Sequence, residues 1–199
     1  MYVREAKNRE EVWLLDRIEE MRLDATAFRS RDYVVAVDED SGVKAGFGRL
    51  RIHRAATEGD DDEPAEYCEF TSIGILESWR RQGVGAHVLE RLVRHALDQG
   101  FERAYALTDE PTYLAQFGFC RTDAADCSEP LADRLEQKRD DVASDAVPVA
   151  LDLDRFRMPE RLRERFKQAT EQSEPADDPE TAEDFGIDPD SATYKYDTG

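Results

Sequence analysis

The chain has 199 residues, of which 40% are hydrophobic, enough to bury one core of ordinary size. Its formal net charge of −19 disfavours a nucleic-acid partner, because a phosphate backbone attracts positively charged proteins. No stretch is long and apolar enough to cross a membrane and no signal peptide opens the chain, so we expect a cytoplasmic protein with no membrane partner.

The acidic excess predicts a halophile-like surface. The chain carries 46 acidic residues against 27 basic ones, as proteins from salt-rich cytoplasm do, where high charge keeps a protein soluble. Attraction of cationic substrates is the alternative explanation.

The first predicted elements are a strand at Tyr2 to Glu5 and a helix that follows it. Asn8 and Glu11 stand three residues apart, as the two partners of a capping box do at the start of a helix. We expect this helix to bury one face, made of Val12, Leu15, Ile18 and either Met21 or Arg22.

A second short helix and a hairpin are predicted next. The helix would cover Leu23 to Phe28. Tyr33 to Val37 and Val43 to His53 are joined by the turn residues Asp38 to Gly42, so they predict two antiparallel strands. Two glycines in the second strand indicate a bulge or a close neighbour. Thr57 to Pro64 reads as an acidic, solvated loop.

The centre of the chain predicts a strand, a tight turn and a long helix. The strand runs from about Glu66 to Leu76, and its part from Phe70 to Leu76 is apolar and β-branched as in a buried strand. From Val84 onward apolar residues recur at three- and four-residue steps until Gly100, which predicts an amphipathic helix with a glycine stop.

The turn, Arg80 to Ala86, is where the sequence predicts chemistry. The first N–H groups of a helix have no intrahelical acceptor and form its positive dipole end, while Gly83 and Gly85 leave room for a ligand. With two arginines beside them, these features predict a bound diphosphate. A dinucleotide fingerprint does not fit, because Val88 stands where its third glycine is required, and a P-loop would need a Lys-Ser/Thr ending.

The C-terminal third predicts more strands, more helices and a tail. Strands are predicted at Arg103 to Thr108, Phe119 to Thr122 and Ala146 to Asp152. Helices are predicted at Pro111 to Gln116, Glu129 to Arg139 and Pro159 to Thr170. The last helix has Leu162, Phe166 and Ala169 on one face and either packs on the domain or joins a partner. We expect a domain over 1–155, an amphipathic helix within 156–172 and an acidic, disordered tail over 173–199.

Two motifs in this order resemble the GNAT superfamily of acyl-CoA N-acyltransferases. The spacing Arg-x-x-Gly-x-Gly at Arg80 to Gly85 is similar to the superfamily's motif A, and YLAQFGF at Tyr113 to Phe119 is similar to its late aromatic element. The resemblance covers roughly residues 1 to 155. It implies an α/β (α+β) fold with a mixed, mostly antiparallel central sheet flanked by helices, in which the strand at Glu66 to Leu76 splays from the strand at Arg103 to Thr108.

The resemblance also implies a ligand and a reaction. It implies an acetyltransferase that uses acetyl-CoA and acts on a primary amine whose identity the sequence does not reveal. The pantetheine arm would pair with the backbone of Ile73, Gly74 and Ile75. The diphosphate would be held by Arg80, Arg81, Gln82, Gly83, Val84, Gly85 and Ala86.

Glu69 and Tyr113 are the candidate catalytic residues. Glu69 matches the glutamate that deprotonates the amine in the histone-acetyltransferase branch, and the alternative is a carboxylate that merely faces outward from the strand. Many members place an acid tyrosine four residues before the Gly of the Gly-Phe pair. That position is Leu114 here and the tyrosine is Tyr113, so a core tyrosine is the alternative.

No metal site is predicted, because Cys68, Cys120 and Cys127 match no metal-binding spacing and the three histidines do not cluster with them. Two other functions stay open. One is a non-catalytic acyl-CoA sensor or interaction module on the same fold, and the other is a scaffold whose C-terminal helix and tail recruit partners. Homodimer formation is left open as well.

Overall fold

The computed structural model describes residues 1–55, 65–141 and 143–171, which form a seven-stranded sheet with helices on both faces. The strands are β1 (Tyr2–Glu5), β2 (Tyr33–Val37), β3 (Lys44–Ala55), β4 (Ala65–Ile75), β5 (Arg103–Thr108), β6 (Cys120–Arg121) and β7 (Val147–Asp152). Their order in the sheet is β1-β2-β3-β4-β5-β7-β6, and every neighbouring pair is antiparallel except β4 and β5. The predicted α/β fold with a mixed, mostly antiparallel sheet is confirmed.

The helices divide between the two faces of the sheet. They are α1 (Glu11–Glu20), α2 (Val84–Asp98), α3 (Pro111–Ala115), α4 (Glu129–Asp141) and α5 (Glu160–Lys167). The main core lies between the sheet and α2, while α1 and α4 pack on the opposite face. Within the described ranges, no helix combines the length and the apolar content needed to span a bilayer. The same ranges contain no group of three or more potential metal ligands.

Helix α2 has the amphipathic character predicted for it. One side is buried and consists of Val84, Ala86, Val88, Leu89, Leu92, Val93 and Ala96. Burial of each large aliphatic side chain contributes roughly 1.5–3 kcal/mol, so this face anchors the helix on the sheet. The chain leaves the helix through Gly100 at φ +84°, a left-handed conformation that glycine adopts without strain.

The start of α1 differs from the predicted capping box. The backbone N–H of Lys7 donates to the Glu10 carboxylate at 2.8 Å, so the box is formed one residue earlier than Asn8 and Glu11. Glu10 also accepts two hydrogen bonds from Arg4, at 2.7 and 2.8 Å. A short 3-10 turn therefore precedes the helix.

The predicted buried face of α1 is also partly wrong. Val12 is 70% exposed and Leu15 38% exposed, whereas Leu14 and Ile18 are buried against β2 and β3. Two adjacent leucines satisfy helical spacing about equally well, so the choice between them rests on contacts from the sheet.

The helix predicted over residues 23–28 is absent, and that prediction is wrong. Arg22 and Ala27 have φ of +53° and +49°, which a right-handed helix does not allow. The segment is instead a loop. Its carbonyl oxygens at Thr26 and Ala27 accept hydrogen bonds of 2.8 and 2.6 Å from the buried guanidinium of Arg49.

Helix α5 packs on the domain, as one of the two alternatives for the C-terminal helix requires. Leu162 and Phe166 are buried in the same core as α2, and Ala169 packs against that core. The predicted tail over 173–199 and the predicted loop at Thr57 to Pro64 lie outside the described residues. The domain boundary at residue 155 stays a prediction.

Candidate active site

Strands β4 and β5 part after a short paired section. They are in register only at Cys68 with Ala104 and at Glu69 with Tyr105, and beyond these pairs the described strands diverge. The register of β4 against β3 shifts where Ser72 takes φ +47°, which marks a β-bulge. The bulge lies just beyond the last pair of β4 with β5, and the splayed central strands predicted from the sequence are present.

A cavity of about 860 Å³ occupies the wide end of this gap. Its wall includes the end of β4, the residues after it, the end of α1 and the start of α3. Among the predicted site residues, it is lined by Ile73, Gly74, Ile75, Arg80 and Tyr113. The cavity is therefore built from both sequence motifs.

The backbone N–H and C=O groups of Ile73, Gly74 and Ile75 do not all point toward the gap. The N–H of Leu76 donates to Ala45 on β3 at 3.0 Å. Backbone groups alternate in direction along a strand, so Ile73 and Ile75 turn theirs toward the gap, whereas Gly74 turns its own toward β3. The guanidinium Nε of Arg80 donates to the Ile75 carbonyl at 3.2 Å, as this direction requires.

Gly74 is required by packing. A Cβ at this position would lie 2.6 Å from Met21 Sδ and 2.6 Å from the ring of Phe47, on the α1 face of the sheet. The sequence left open whether this glycine admits a ligand or a neighbouring side chain. In the structure, the space beside Gly74 is occupied by the side chains of Met21 and Phe47.

The turn before α2 depends on left-handed backbone at two positions. Arg81 has φ +62° and Gly83 has φ +81°, after which the helix begins at Val84. The N–H of His87 donates back to the Gly83 carbonyl at 3.2 Å. The amides of the first helical turn before His87 have no acceptor in the helix, as at any helix start.

One side of this turn is covered by α5. A Cβ at Gly83 would overlap the Leu162 carbonyl oxygen. The Gln82 side chain donates to the Thr170 carbonyl at 2.8 Å and accepts from the Thr170 N–H at 2.9 Å. Gly83 is thus required by both its backbone conformation and the docking of α5, and Gln82 is bonded to the segment that follows this helix.

The other side of the turn faces the gap. A Cβ at Gly85 would lie 3.4 Å from the Tyr113 hydroxyl and 3.5 Å from Ile75, which are ordinary contact distances. Arg80 and Arg81 are exposed beside it, whereas Val84 and Ala86 are buried and offer backbone only. An anion entering from the gap therefore meets the helix start at Gly85.

Tyr113 lies in the wall of the gap, and its neighbour Leu114 is in the core. Leu114 is only 7% exposed, whereas Tyr113 is 42% exposed and packs its ring edge-on against Phe117 at 5.4 Å. Burial raises the pKa of the Tyr113 phenol, although the charge of Arg161 acts in the opposite direction. The phenol is therefore protonated at neutral pH.

Glu69 is fully buried on the α4 face of the sheet. His53 Nε2 donates to Glu69 Oε2 at 2.7 Å, and Arg134 Nε lies 3.6 Å from the same oxygen. Oε1 has no hydrogen-bond partner among the described residues. Burial alone would raise the pKa of the Glu69 carboxyl, but the hydrogen bond from His53 and the charge of Arg134 outweigh it and lower that pKa.

Further charged side chains lie near Glu69, and two of them, Asp24 and Arg134, connect the 23–28 loop to α4. Asp24 accepts hydrogen bonds of 3.1 Å from Arg51 and 2.9 Å from Arg134. Lys138 Nζ donates to the Leu107 carbonyl at 2.6 Å. Sequence analysis missed these residues, because α4 carries no motif and the loop was assigned to a helix.

His53 was missed for a different reason. Its strand pairs with β4 so that His53 stands opposite Tyr67 and Arg51 opposite Glu69. His53 and Glu69 are therefore diagonal neighbours across the hairpin, within reach of each other. A correct prediction of the register between β3 and β4 would have identified His53 as a neighbour of Glu69.

Comparison with known proteins gives one family and one fold. The acetyltransferase (GNAT) family model matches residues 2–119. Rv2747 from Mycobacterium tuberculosis, in complex with CoA, has a TM-score of 0.58 at 16% identity over 76% of this chain and 98% of that one. N-acetylglutamate synthase from Neisseria gonorrhoeae, complexed with coenzyme A and N-acetyl-glutamate, has a TM-score of 0.56 at 16% identity over 76% of this chain and 34% of that one.

A GNAT-family acetyltransferase from Staphylococcus aureus Mu50 has a TM-score of 0.51 at 11% identity, over 76% of this chain and 98% of that one. At such identities the structural likeness shows the fold, and the family is shown by the sequence match. Because that match spans more than half of the 199 residues, the chain belongs to the acetyltransferase (GNAT) family.

Proposed function

We propose that this chain transfers an acetyl group from acetyl-CoA to a primary amine. The observation that carries the proposal is the gap between β4 and β5, which opens after Glu69 and Tyr105 and ends beside Gly85 in the first turn of α2. Crystal structures of the same fold in complex with CoA support a CoA thioester as the donor.

The cofactor would enter with its diphosphate at the Gly85 side of the turn. There the free amides of the first helical turn and the guanidinium of Arg80 supply positive charge in a protein of net charge −19. The pantetheine arm would continue along the edge of β4 and use the backbone groups of Ile73 and Ile75. The exposed guanidinium of Arg81 would add positive charge beside the diphosphate. Gln82 and Gly83 would shape the turn rather than touch the ligand, since they contact α5 and the residue Thr170 that follows it.

The amine must lose a proton before its nitrogen can attack the thioester carbon. Glu69 is the proposed base, because its Oε1 lacks a hydrogen-bond donor within the described chain and because Glu69 stands at the last paired position of β4 and β5. Its lowered pKa keeps the carboxylate ionised and therefore able to accept a proton, but makes it a weak base. The hydrogen bond from His53 would hold the Glu69 carboxylate in place.

The negative charge that develops in the transition state would have two partners. A backbone N–H of Ile73 or Ile75 would donate to the oxyanion of the tetrahedral intermediate. Tyr113, whose phenol stays protonated, would donate to the departing thiolate or to the diphosphate. N-acetylglutamate synthase, with the same fold, was crystallised with an N-acetylated amino acid, which supports an amine as the acceptor.

The release of free CoA thiol tests this proposal. The full chain would be incubated with acetyl-CoA and a panel of small amines, amino acids and lysine-containing peptides, with each amine omitted in turn. Thiol release that depends on one acceptor class, together with an acetylated product of that amine, is the expected result. Tight CoA binding without thiol release beyond hydrolysis for any acceptor would contradict it.

That contradictory result would favour a second function, an acyl-CoA-binding module without turnover. Its supporting observation is Glu69, whose side chain is fully buried and engaged by His53 and Arg134, as a structural carboxylate would be. The two functions differ in one measurement, since both require cofactor binding and only the first requires acceptor-dependent thiol release.

A further inference from the structure

Lys138 places a primary amine in the gap between β4 and β5. Its Nζ donates to the Leu107 carbonyl at 2.6 Å, and Leu107 stands opposite Pro148 on β7. The backbone carbonyl of Pro148 accepts a hydrogen bond from the N–H of Thr122, which lies on the side of β7 opposite to β5. The Pro148 carbonyl therefore points away from β5. Leu107 therefore turns its own carbonyl away from β7 and toward the gap.

A cavity of about 250 Å³ lies where this amine enters, on the α4 face of the sheet. It is lined by Lys138 and Arg134 from α4 and by Thr71 and Ser72 at the bulge of β4. Leu23 lines both this cavity and the larger one at the wide end of the gap, so the two are adjacent. The amine of Lys138 thus stands at the narrow end of the gap, beside the bulge.

The surroundings of Lys138 suit an amine that reacts. Burial lowers the pKa of its ammonium group, and the carboxylates of Glu69, Asp109 and Asp24 oppose that effect without cancelling it. Arg134 lowers the pKa further. A larger fraction of neutral amine, which carries the nucleophilic lone pair, is therefore present than for a lysine in water.

We propose that Lys138 is an internal acyl acceptor, which the protein acylates on Nζ with its own bound acyl-CoA. This inference rests on the proposed function, since the arm that runs along Ile73 and Ile75 from the helix start carries the acyl group toward the narrow end of the gap. Acylation would remove the charge of Lys138 and fill the small cavity, so it would regulate access of an external amine.

The reaction balances without any further reactant. The ammonium of Lys138 first gives one proton to Glu69 or to water, and the neutral nitrogen attacks the thioester carbon. The carbon–sulfur bond breaks as the carbon–nitrogen bond becomes an amide. The second proton leaves the nitrogen and joins the departing sulfur, so the products are N-acyl-lysine, free CoA thiol and one proton.

The test uses the full chain, acetyl-CoA and no added amine. Intact mass and peptide mapping should find one acetyl group per chain, located on Lys138, at a rate per chain that does not change with protein concentration. Because a positioned amine reacts as an intramolecular nucleophile, labelling at Lys138 should exceed labelling at exposed Lys7 by about tenfold or more. Label spread over exposed lysines, or a rate that rises with protein concentration, would overturn the inference.

Two variants and one binding measurement separate the explanations. Lys138→Arg should lose the label and keep its melting temperature, while the matched Lys7→Arg variant should label as the natural chain does. If Lys138 only holds the Leu107 carbonyl, external amines will turn over and Lys138 will stay unmodified, which overturns this inference alone. If calorimetry finds no CoA binding at all, the proposed function fails and this inference fails with it.

Discussion

Substitution of the two glycines of the turn should separate cofactor binding from folding. At Gly85 an added Cβ meets Tyr113 and Ile75 at 3.4 and 3.5 Å, so Gly85→Ala fits and Gly85→Leu extends into the gap. At Gly83 the same Cβ overlaps the Leu162 carbonyl, and the residue has φ +81°. Only Gly85 therefore offers a clean test of the diphosphate site.

The expected magnitudes follow from these contacts. Gly85→Ala removes backbone entropy from the unfolded chain and should stabilise the fold by about 0.5–1 kcal/mol. Gly85→Leu would displace the diphosphate from one or two charge-assisted hydrogen bonds of roughly 1.5–3 kcal/mol each. That loss corresponds to a weaker affinity for CoA by about tenfold to ten-thousandfold, at 1.4 kcal/mol for each factor of ten.

Gly83→Ala should instead act on stability. A left-handed conformation costs a residue with a Cβ roughly 1–2 kcal/mol, and the overlap with Leu162 adds the partial undocking of α5.

Calorimetric titration with CoA and thermal unfolding of the natural chain and the three variants would measure both effects. A Gly85→Leu variant that keeps its melting temperature and binds CoA with unchanged affinity would refute the diphosphate assignment.

Four further substitutions test other parts of the account. Glu69→Gln should lower turnover far more than CoA affinity if Glu69 is the base, and equal turnover in steady-state assays would eliminate it. Tyr113→Phe should lower kcat roughly tenfold or more if the phenol protonates the thiolate, and a change confined to CoA affinity would move its role to the diphosphate. Phe166→Ala should destabilise the chain by about 3–5 kcal/mol in urea unfolding, because the ring is buried and stacks on His87 at 3.7 Å; a loss below 1 kcal/mol would contradict the docking of α5. Hydrogen bonds from Arg4 lower the pKa of Glu10 from 4.5 to about 2, so its stabilisation is present above pH 4.5 and lost as the pH falls toward about 2. Glu10→Gln should therefore flatten the pH dependence of the unfolding free energy over that window, and an unaltered slope would refute this linkage.

Local patterns in the sequence were sufficient for the centre of the fold. The apolar run from Phe70 to Ile75 lies within β4, and the apolar repeat from Val84 lies within α2. Both elements form where they were predicted. The turn between them could also be identified, since its glycines occupy a fixed place at the start of a helix. These features needed no knowledge of the rest of the chain.

The reason for each glycine could not be derived from the sequence. Gly74 is fixed by Met21 and Phe47, and Gly83 by Leu162, and these neighbours come from other elements of the chain. A sequence motif shows that a side chain is excluded, whereas only the packed structure shows what excludes it.

The charged residues on the α4 face of the sheet were the main feature that the sequence did not predict. Arg134 and Lys138 lie on a helix without a recognisable motif, and their relation to Glu69 exists only after α4 docks on the sheet. The loop at 23–28 was assigned to a helix because nothing in its sequence predicts the left-handed residues Arg22 and Ala27. Both features depend on tertiary contacts that act against local preference.

The most direct test of the central claim is a crystal structure of this chain with CoA bound. We expect the diphosphate oxygens within hydrogen-bonding distance of the amides of Gly85 and Ala86, and the pantetheine arm between β4 and β5 along Ile73 and Ile75. A diphosphate bound away from the start of α2, with the gap between the two strands empty, would contradict the account.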